Sequence, residues 1–324
     1  MSILYCATEV GDGFGAAAGS TTAGGAYYND TWVSQGINIP DDRYWGFAIP
    51  TTKDVWLAFD YNYYDPDANI NADGQFLHVM TDTGLLVMRL QCVDGSMRVD
   101  HYLNGSSATS TNGIRFYDHL NCLCRFDIHF EYDVASSGTM TITFYIDGIV
   151  RAKLDAGTLS TVDSGIAGIR FGCYDLENGV RVSSIIAADE DTRGMVVTEL
   201  EPDGAGNYTA WDGDYTSMGE AGQGSGIESN SNGDRESWTL DAFGGPAGAV
   251  GMRVVNQIWG YPGGSGVSQI DSFLRISSTD YDSGAQTPTP GIPLTYEWTT
   301  NPATTAIWDT TAIGLLEAGV EAVT

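Results

Sequence analysis

The chain is long, acidic and rich in glycine: its 324 residues include 42 acidic and 14 basic side chains, for a formal charge of −28. Such a surface repels phosphate, so the composition excludes a nucleic-acid-binding protein. The 41 glycines, abundant Tyr and Thr, and only two lysines are typical of a β-rich chain with material for two domains.

Targeting and membrane signals are missing from the sequence. No apolar window is long enough to cross a bilayer, and the first residues do not form a basic segment followed by an apolar run. The five cysteines have no disulfide-framework spacing. We therefore expect a reduced protein that folds in the cytoplasm, without membrane insertion.

Residues 1–190 divide into an arm and a predicted sandwich. Residues 1–30 are rich in Gly and Ala and predict an extended N-terminal arm. Beyond them, alternating apolar and polar runs are separated by turn signals at intervals of roughly 8 to 12 residues. The clearest run, residues 140–146, leads into Asp147-Gly148, a strong hairpin signal. The pattern predicts an antiparallel β-sandwich over residues 31–190.

This part of the chain resembles a known fold family. A strand at residues 126–130, a Tyr-Ile-Asp-Gly hairpin at residues 145–148 and a last strand ending at residues 185–189 resemble the concanavalin-like (laminin-G-like) jelly roll. The resemblance implies a jelly-roll sandwich. It does not by itself imply sugar binding, because one fold serves many functions.

Residues 191–324 predict a second β-sandwich domain with one short C-terminal helix. Strands are expected at residues 236–240, 249–259, 268–277 and 294–298. Near the end, Asp309 or Thr310 can cap a helix, and Ile313, Leu316, Val320 and Val323 recur at helical spacing. The whole chain is thus predicted to be all-β, with two sandwich domains and this helix.

The second domain resembles the closing module of tailed-bacteriophage virion proteins. The resemblance rests on Asn-Pro-Ala-Thr at residues 301–304, on Trp308, and on Leu-Glu-Ala-Gly-Val at residues 316–320; residues 305–307 depart from it. It implies a structural protein of the virion, located on the tail, baseplate, neck or capsid surface. Its expected partners are other virion proteins and further copies of the same chain.

Two aromatic groups are candidates for sugar stacking, because a flat ring covers a pyranose face. They are Tyr61, Tyr63 and Tyr64, and Tyr208, Trp211 and Tyr215. A host surface glycan would then be the ligand, and a carbohydrate-binding adhesion module is the alternative function. The same rings also suit subunit contacts or the edge of a core.

One acidic segment is a candidate calcium loop. Its oxygen-bearing residues alternate along the chain, as hard-cation ligands require: Asp65, Asp67, Asn69, Asn71 and Asp73. An EF-hand would need Gly and Glu where the chain has Ile70 and Phe76, so an Asx-rich turn is the competing interpretation. No other cofactor is indicated.

Signatures of enzymes are missing from the sequence. There is no Gly-x-Ser-x-Gly or His-Glu-x-x-His motif, and the glycine run at residues 11–15 lacks a flanking strand and helix. Asp127 and Glu131 could form a glycosidase pair, but they fit the polar outer face of a sheet better. The sequence therefore predicts a protein that is not an enzyme.

Overall fold

A computed structural model describes residues 3–7, 21–24, 35–39, 43–62, 74–84, 86–93, 96–103, 107–115, 123–133, 139–158, 165–174, 180–195, 197–217, 226–244, 252–261, 266–289 and 292–324. The chain divides into two compact units, Met1–Val197 and Thr198–Thr324. Strands make up most of the described residues, and the prediction of an all-β chain is confirmed.

The described strands of the first unit are β1 (Ile3–Ala7), β2 (Thr21–Gly24), β3 (Gln35–Ile39), β4 (Arg43–Thr52), β5 (Asp54–Asn62), β6 (Gly74–Thr81), β7 (Leu86–Val93), β8 (Ser96–Leu103), β9 (Ser107–Arg115), β10 (Leu123–Asp133), β11 (Thr139–Ile146), β12 (Ile149–Thr158), β13 (Ile166–Tyr174) and β14 (Val180–Ala188). β1 and β2 fall within the predicted N-terminal arm, where they pair with β14 and β3.

These strands form two antiparallel sheets that face each other. The larger sheet has the order β12-β11-β10-β5-β14-β3-β2, with β1 also on β14, and the smaller has the order β4-β13-β6-β7-β8-β9. Aromatic rings join the layers: Phe59 meets Phe171 edge-on with centroids 4.9 Å apart, and Tyr5 stacks on Phe47 at 3.7 Å. The predicted sandwich architecture is confirmed.

The predicted hairpin at Asp147-Gly148 joins β11 to β12. Both residues have positive φ, 49° and 74°, which suits the two-residue turn that Asp-Gly favours. The turn is also tied to β10. The Asp147 N–H donates to the Arg125 carbonyl and the Arg125 N–H donates to Asp147 Oδ1, each at 2.9 Å.

The second unit has the strands β15 (Pro202–Thr209), β16 (Arg235–Leu240), β17 (Val254–Ile258), β18 (Gln269–Ile276), β19 (Thr279–Asp282), β20 (Leu294–Trp298) and β21 (Leu316–Val323), a 3-10 turn at Tyr215–Ser217 and the helix α1 (Thr310–Ile313). One sheet has the order β15-β16-β21-β18-β19, and β17 pairs with β20. A buried cluster that includes Trp238, Leu274, Trp298 and Trp308 forms its core.

The short helix is present, but most of the residues that predicted it lie in a strand. Asp309 caps α1 by accepting the Ala312 N–H at 2.8 Å, and the helix ends at Ile313. Leu316, Val320 and Val323 belong instead to β21, the central strand between β16 and β18. The buried Ala318 and Ala322 complete a period of two, and pairing on both edges favours the strand over the helix.

No helix in the described part of the chain is both long and apolar enough to cross a bilayer.

Candidate functional site

The predicted calcium loop and two of the predicted sugar-binding tyrosines lie outside the described residues: Tyr63, Tyr64, Asp65, Asp67, Asn69, Asn71 and Asp73. Tyr61 is described and lies in the core. Only 7% of its surface is exposed, and its ring meets Phe126 edge-on at 5.6 Å. Its buried ring cannot cover a sugar, so the structure argues against Tyr61 as a ligand-stacking residue.

The second predicted aromatic group does not form an open platform. Trp211 donates from Nε1 to the Asp234 carbonyl at 3.0 Å, and both Trp211 and Tyr215 pack against the core cluster of the second unit. Tyr208 turns toward the other face of the sheet, where its hydroxyl donates to Asp280 Oδ2 at 2.6 Å. These three side chains are therefore explained by packing within the unit.

Tyr208 belongs to a network of charges over the second unit's sheet. Arg235 contacts Asp280 at 2.8 Å and also pairs with Glu321, and Arg275 contacts Asp280 at 2.5 Å. Burial acts to raise the pKa of Asp280, but the Tyr208 hydroxyl and the two guanidinium groups outweigh it and hold that pKa below its ordinary value. The network satisfies its own charges and presents no free carboxylate pair.

The outer face of the larger sheet in the first unit contains a second, more enclosed polar cluster. Asp60 on β5 lies opposite Arg125 on β10, and Asp127 lies on the same face two residues further along β10. Arg125 donates from Nη1 to Asp60 Oδ1 at 3.5 Å, and its Nε lies 3.9 Å from Asp127 Oδ1. Burial raises the pKa of both carboxyl groups, and Arg125 opposes that rise.

A β-bulge adjoins this cluster. The register of β14 against β5 shifts between Ser183 and Ile186, and Ser184 there has a φ of 48°. The Ser184 carbonyl accepts from Arg125 Nη1 at 2.9 Å. Two buried polar atoms, Ser183 Oγ and Arg125 Nε, have no hydrogen-bond partner. Bulges, strained backbone and unsatisfied groups are features that collect at functional sites.

Residues 189–195, which we call the strap, cover the cluster. Thr192 is fully buried and donates to Asp127 Oδ1 at 3.0 Å, and the Met195 carbonyl accepts from Arg125 Nη2 at 3.1 Å. Asp127 consequently has only 1% of its surface exposed. The strap thus encloses the Asp127 carboxylate and binds the Arg125 guanidinium, whose side chain stays 16% exposed.

Beside the strap lies a group of stacked side chains, which we call the outer-face aromatic cluster: Trp56, His129, Tyr145 and Arg193. Trp56 stacks on His129 with centroids 4.2 Å apart, and the Arg193 guanidinium lies 4.6 Å from the Tyr145 ring and 5.5 Å from Trp56. His129 Nε2 lies 2.9 Å from Asp54 Oδ1. Trp56 is buried, with 8% of its surface exposed, whereas Tyr145 is partly exposed, so Tyr145 is the ring of this cluster that a sugar could stack on.

No single segment of the sequence predicts this cluster, although one signal is present. On β5, Asp54, Trp56 and Asp60 share one face of the strand, and Arg125, Asp127 and His129 do so on β10. Because each strand has one polar and one apolar face, the sequence predicts a polar sheet surface. It does not show which strands lie next to each other. In the described residues, no group of three or more His, Cys, Asp or Glu side chains is arranged to hold a metal ion.

Comparisons with known proteins identify no family. No family model and no curated protein matches the chain. Among solved structures, the endo-beta-1,4-glucuronan lyase from the fungus Trichoderma reesei aligns at 8% identity and a TM-score of 0.43, over 59% of this chain and 93% of that one. The cellulose-induced protein Cip1 aligns at 13% and 0.36, over 57% and 92%. The botulinum neurotoxin type G receptor binding domain aligns at 10% and 0.35, over 56% of this chain and 44% of its own length.

Proposed function

We propose that the protein is a non-enzymatic structural component of a tailed-phage virion that assembles through contacts between subunits on the tail, baseplate, neck or capsid surface. The proposal starts from the sequence resemblance of the second unit. The observation that supports it is the position of the resembling residues, which lie in a turn, in the core and in the central strand of the unit.

Each part of the resembling motif has a structural role. Asn301 is buried and closes a turn, since its Oδ1 accepts the Ala303 N–H at 2.9 Å and its carbonyl accepts the Thr305 N–H at 2.7 Å. Trp308 is buried in the core and donates from Nε1 to the Trp298 carbonyl at 2.8 Å. Residues 316–320 lie in the central strand β21. These contacts stabilise the unit and leave the buried Asn301 and Trp308 side chains closed to a substrate, as expected for residues with a structural role.

The non-enzymatic part of the proposal is supported by the state of Asp127 and Glu131. A glycosidase needs two accessible carboxyl groups that flank a sugar. Glu131 is exposed, but Asp127 is enclosed by Thr192 and Arg125. The geometry therefore favours a sheet face stabilised by charge over a hydrolytic site.

The direct test is quantitative mass spectrometry of particles purified from a lysate of the phage that encodes this chain. We expect the chain in the purified particles, in several copies per particle, and retained after a high-salt wash. A chain that is abundant in the lysate and missing from the particles would contradict the proposal.

Glycan recognition is the second candidate function, and the outer-face aromatic cluster is the observation that favours it. Binding of the full chain to immobilised neutral glycans should weaken on Tyr145→Ala, which removes a ring under Arg193. Tyr208→Phe is the control, because it removes only the hydroxyl that bonds to Asp280 in the other unit. Glycan binding that is equally strong in both variants would exclude the cluster as the site.

A further inference from the structure

One edge of β12 is free of strand partners in the described part of the chain. β12 is the last strand of the larger sheet, and β11 pairs with one of its edges. No strand in the described ranges pairs with the other edge, which leaves a row of backbone N–H and C=O groups unpaired by strands. Ile149 and Val150 at its start are 58% and 56% exposed.

This edge is held in place at its first residues. The preceding turn is bonded to β10 through both the backbone and the side chain of Asp147, as described above. β12 then pairs with β11 from Ile149 to Thr158, with a bulge near Val150. An edge that is already extended and anchored loses little conformational entropy when another strand is added to it.

The charges of β12 differ from those of the rest of the protein. Arg151 and Lys153 are both exposed, and no ion pair or hydrogen bond is found for either side chain in the described structure. The other cations whose side chains are described do take part in interactions; examples are Arg125, Arg193, Arg235, Arg253 and Arg275. In a chain of charge −28, β12 carries Arg151 and Lys153 against the single carboxylate Asp155, which is a local reversal of sign.

The charges cannot all be matched when two copies of β12 pair, because each copy carries two cations and a single carboxylate, Asp155. A symmetric antiparallel pairing centred on Ala152 would place Arg151 of one copy opposite Lys153 of the other, and like charges that face each other destabilise a strand pair. A partner strand with carboxylates at alternate positions would instead pair with both cations. Its intervening apolar residues would lie on the opposite face of the sheet, beside Ile149.

We propose that the free edge of β12 binds an extended acidic segment of another polypeptide, which adds a strand to the larger sheet. Backbone hydrogen bonds would supply affinity, and Arg151 and Lys153 would select acidic side chains. This binding does not depend on the virion proposal, because it follows from the edge, its exposed apolar residues and its charge.

The test uses the full chain and a fluorescein-labelled, blocked peptide of about eight residues that alternates Glu and Val, a length typical of a strand. Fluorescence anisotropy should show saturable binding that weakens with added salt. The chain's two lysines form a matched pair of variants. Lys153→Glu should weaken binding about tenfold. Lys53→Glu changes the net charge by the same amount at the exposed β4–β5 turn, and its peptide affinity should stay within about twofold of the wild-type value.

Two further probes test the geometry. A peptide N-methylated at every residue, which has lost the backbone donors of both edges, should not bind. Equal binding of the methylated peptide, or equal loss in the two lysine variants, would overturn the proposal, because it would show general charge attraction. Sedimentation velocity tests the remaining alternative. If the chain self-associates and Arg151→Glu abolishes that association, the β12 edge binds a second copy of the chain and the proposal is overturned. Amide exchange of each variant, unchanged in β10 and β11, establishes that the fold is intact.

Discussion

Replacing Gly319 with alanine should destabilise the second unit, even though alanine normally suits a strand better than glycine. Gly319 lies in the middle of β21, and the Phe273 side chain, with no exposed surface, lies over it. A Cβ at position 319 would be 2.3 Å from Phe273 Cζ and 2.7 Å from the Glu236 carbonyl oxygen. The ring is itself enclosed, since the Arg235 guanidinium lies 4.9 Å from its centroid.

The magnitude follows from two opposing terms. Without a clash, exchanging Gly for Ala in a strand would stabilise by about 0.5–1 kcal/mol through reduced backbone entropy. Overpacking a closed site costs about 1–3 kcal/mol, and contact with a backbone carbonyl leaves little room for relief. Because Glu236 contributes a rigid backbone contact, we take the upper end of the overpacking cost, and the net loss is then about 2 kcal/mol. Expulsion of the Phe273 ring, at about 3–5 kcal/mol, sets the upper limit.

Amide exchange followed by mass spectrometry is the suitable assay, because a chain of two units does not unfold in one transition. Peptides from β18 and β21 should lose protection in Gly319→Ala, and peptides from β10 in the other unit should not. Phe273→Leu in the same background should recover part of the loss, with a coupling energy of about 1 kcal/mol or more. Protection equal to or greater than that of the wild type, or strictly additive effects, would refute the reasoning.

Three further perturbations test the charged clusters. Asp280→Asn should destabilise the second unit at neutral pH, as measured by amide exchange. Because the pKa of Asp280 lies below its ordinary value of 3.8, the difference in stability between variant and wild type should shrink as the pH falls below 3.8. Arg125→Met should cost the first unit about 3 kcal/mol by leaving two buried carboxylates without a cation. Acidification should recover part of that loss, because the pKa values of these carboxyl groups are raised; a loss that does not depend on pH would contradict this. Arg193→Ala should increase iodide quenching of Trp56 and cost less than about 1 kcal/mol, since the arginine is partly exposed.

The features predicted well from the sequence are those that local chemistry determines. Asp147-Gly148 adopts the predicted turn because both residues need a positive φ, which Asp and Gly tolerate. Asp309 caps α1 because its side chain reaches a backbone N–H within the same turn. Neither outcome depends on distant parts of the chain.

The features that were missed depend on distant parts of the chain. Residues 316–323 satisfy helical and strand periods equally well, and pairing with β16 and β18 decides between them. The outer-face aromatic cluster combines β5, β10, β11 and the strap, so its existence could not follow from any one segment. The boundary between the predicted domains at residues 190–191 falls inside the strap, whose Thr192 is buried on the first unit.

The strap covers part of the outer sheet face of the first unit. Arg193 covers Trp56 and Tyr145, and Thr192 covers Asp127, so part of the sheet face that a sugar would contact is already occupied by the chain itself. The edge of β12 is different, because its cations and its first two apolar side chains are exposed. A ligand that uses the face must displace Arg193 and the contacts it makes, whereas a strand that adds to the edge displaces no described element. We therefore expect the edge to bind partners more readily than the face, and Arg193→Ala to increase glycan binding if the face is used at all.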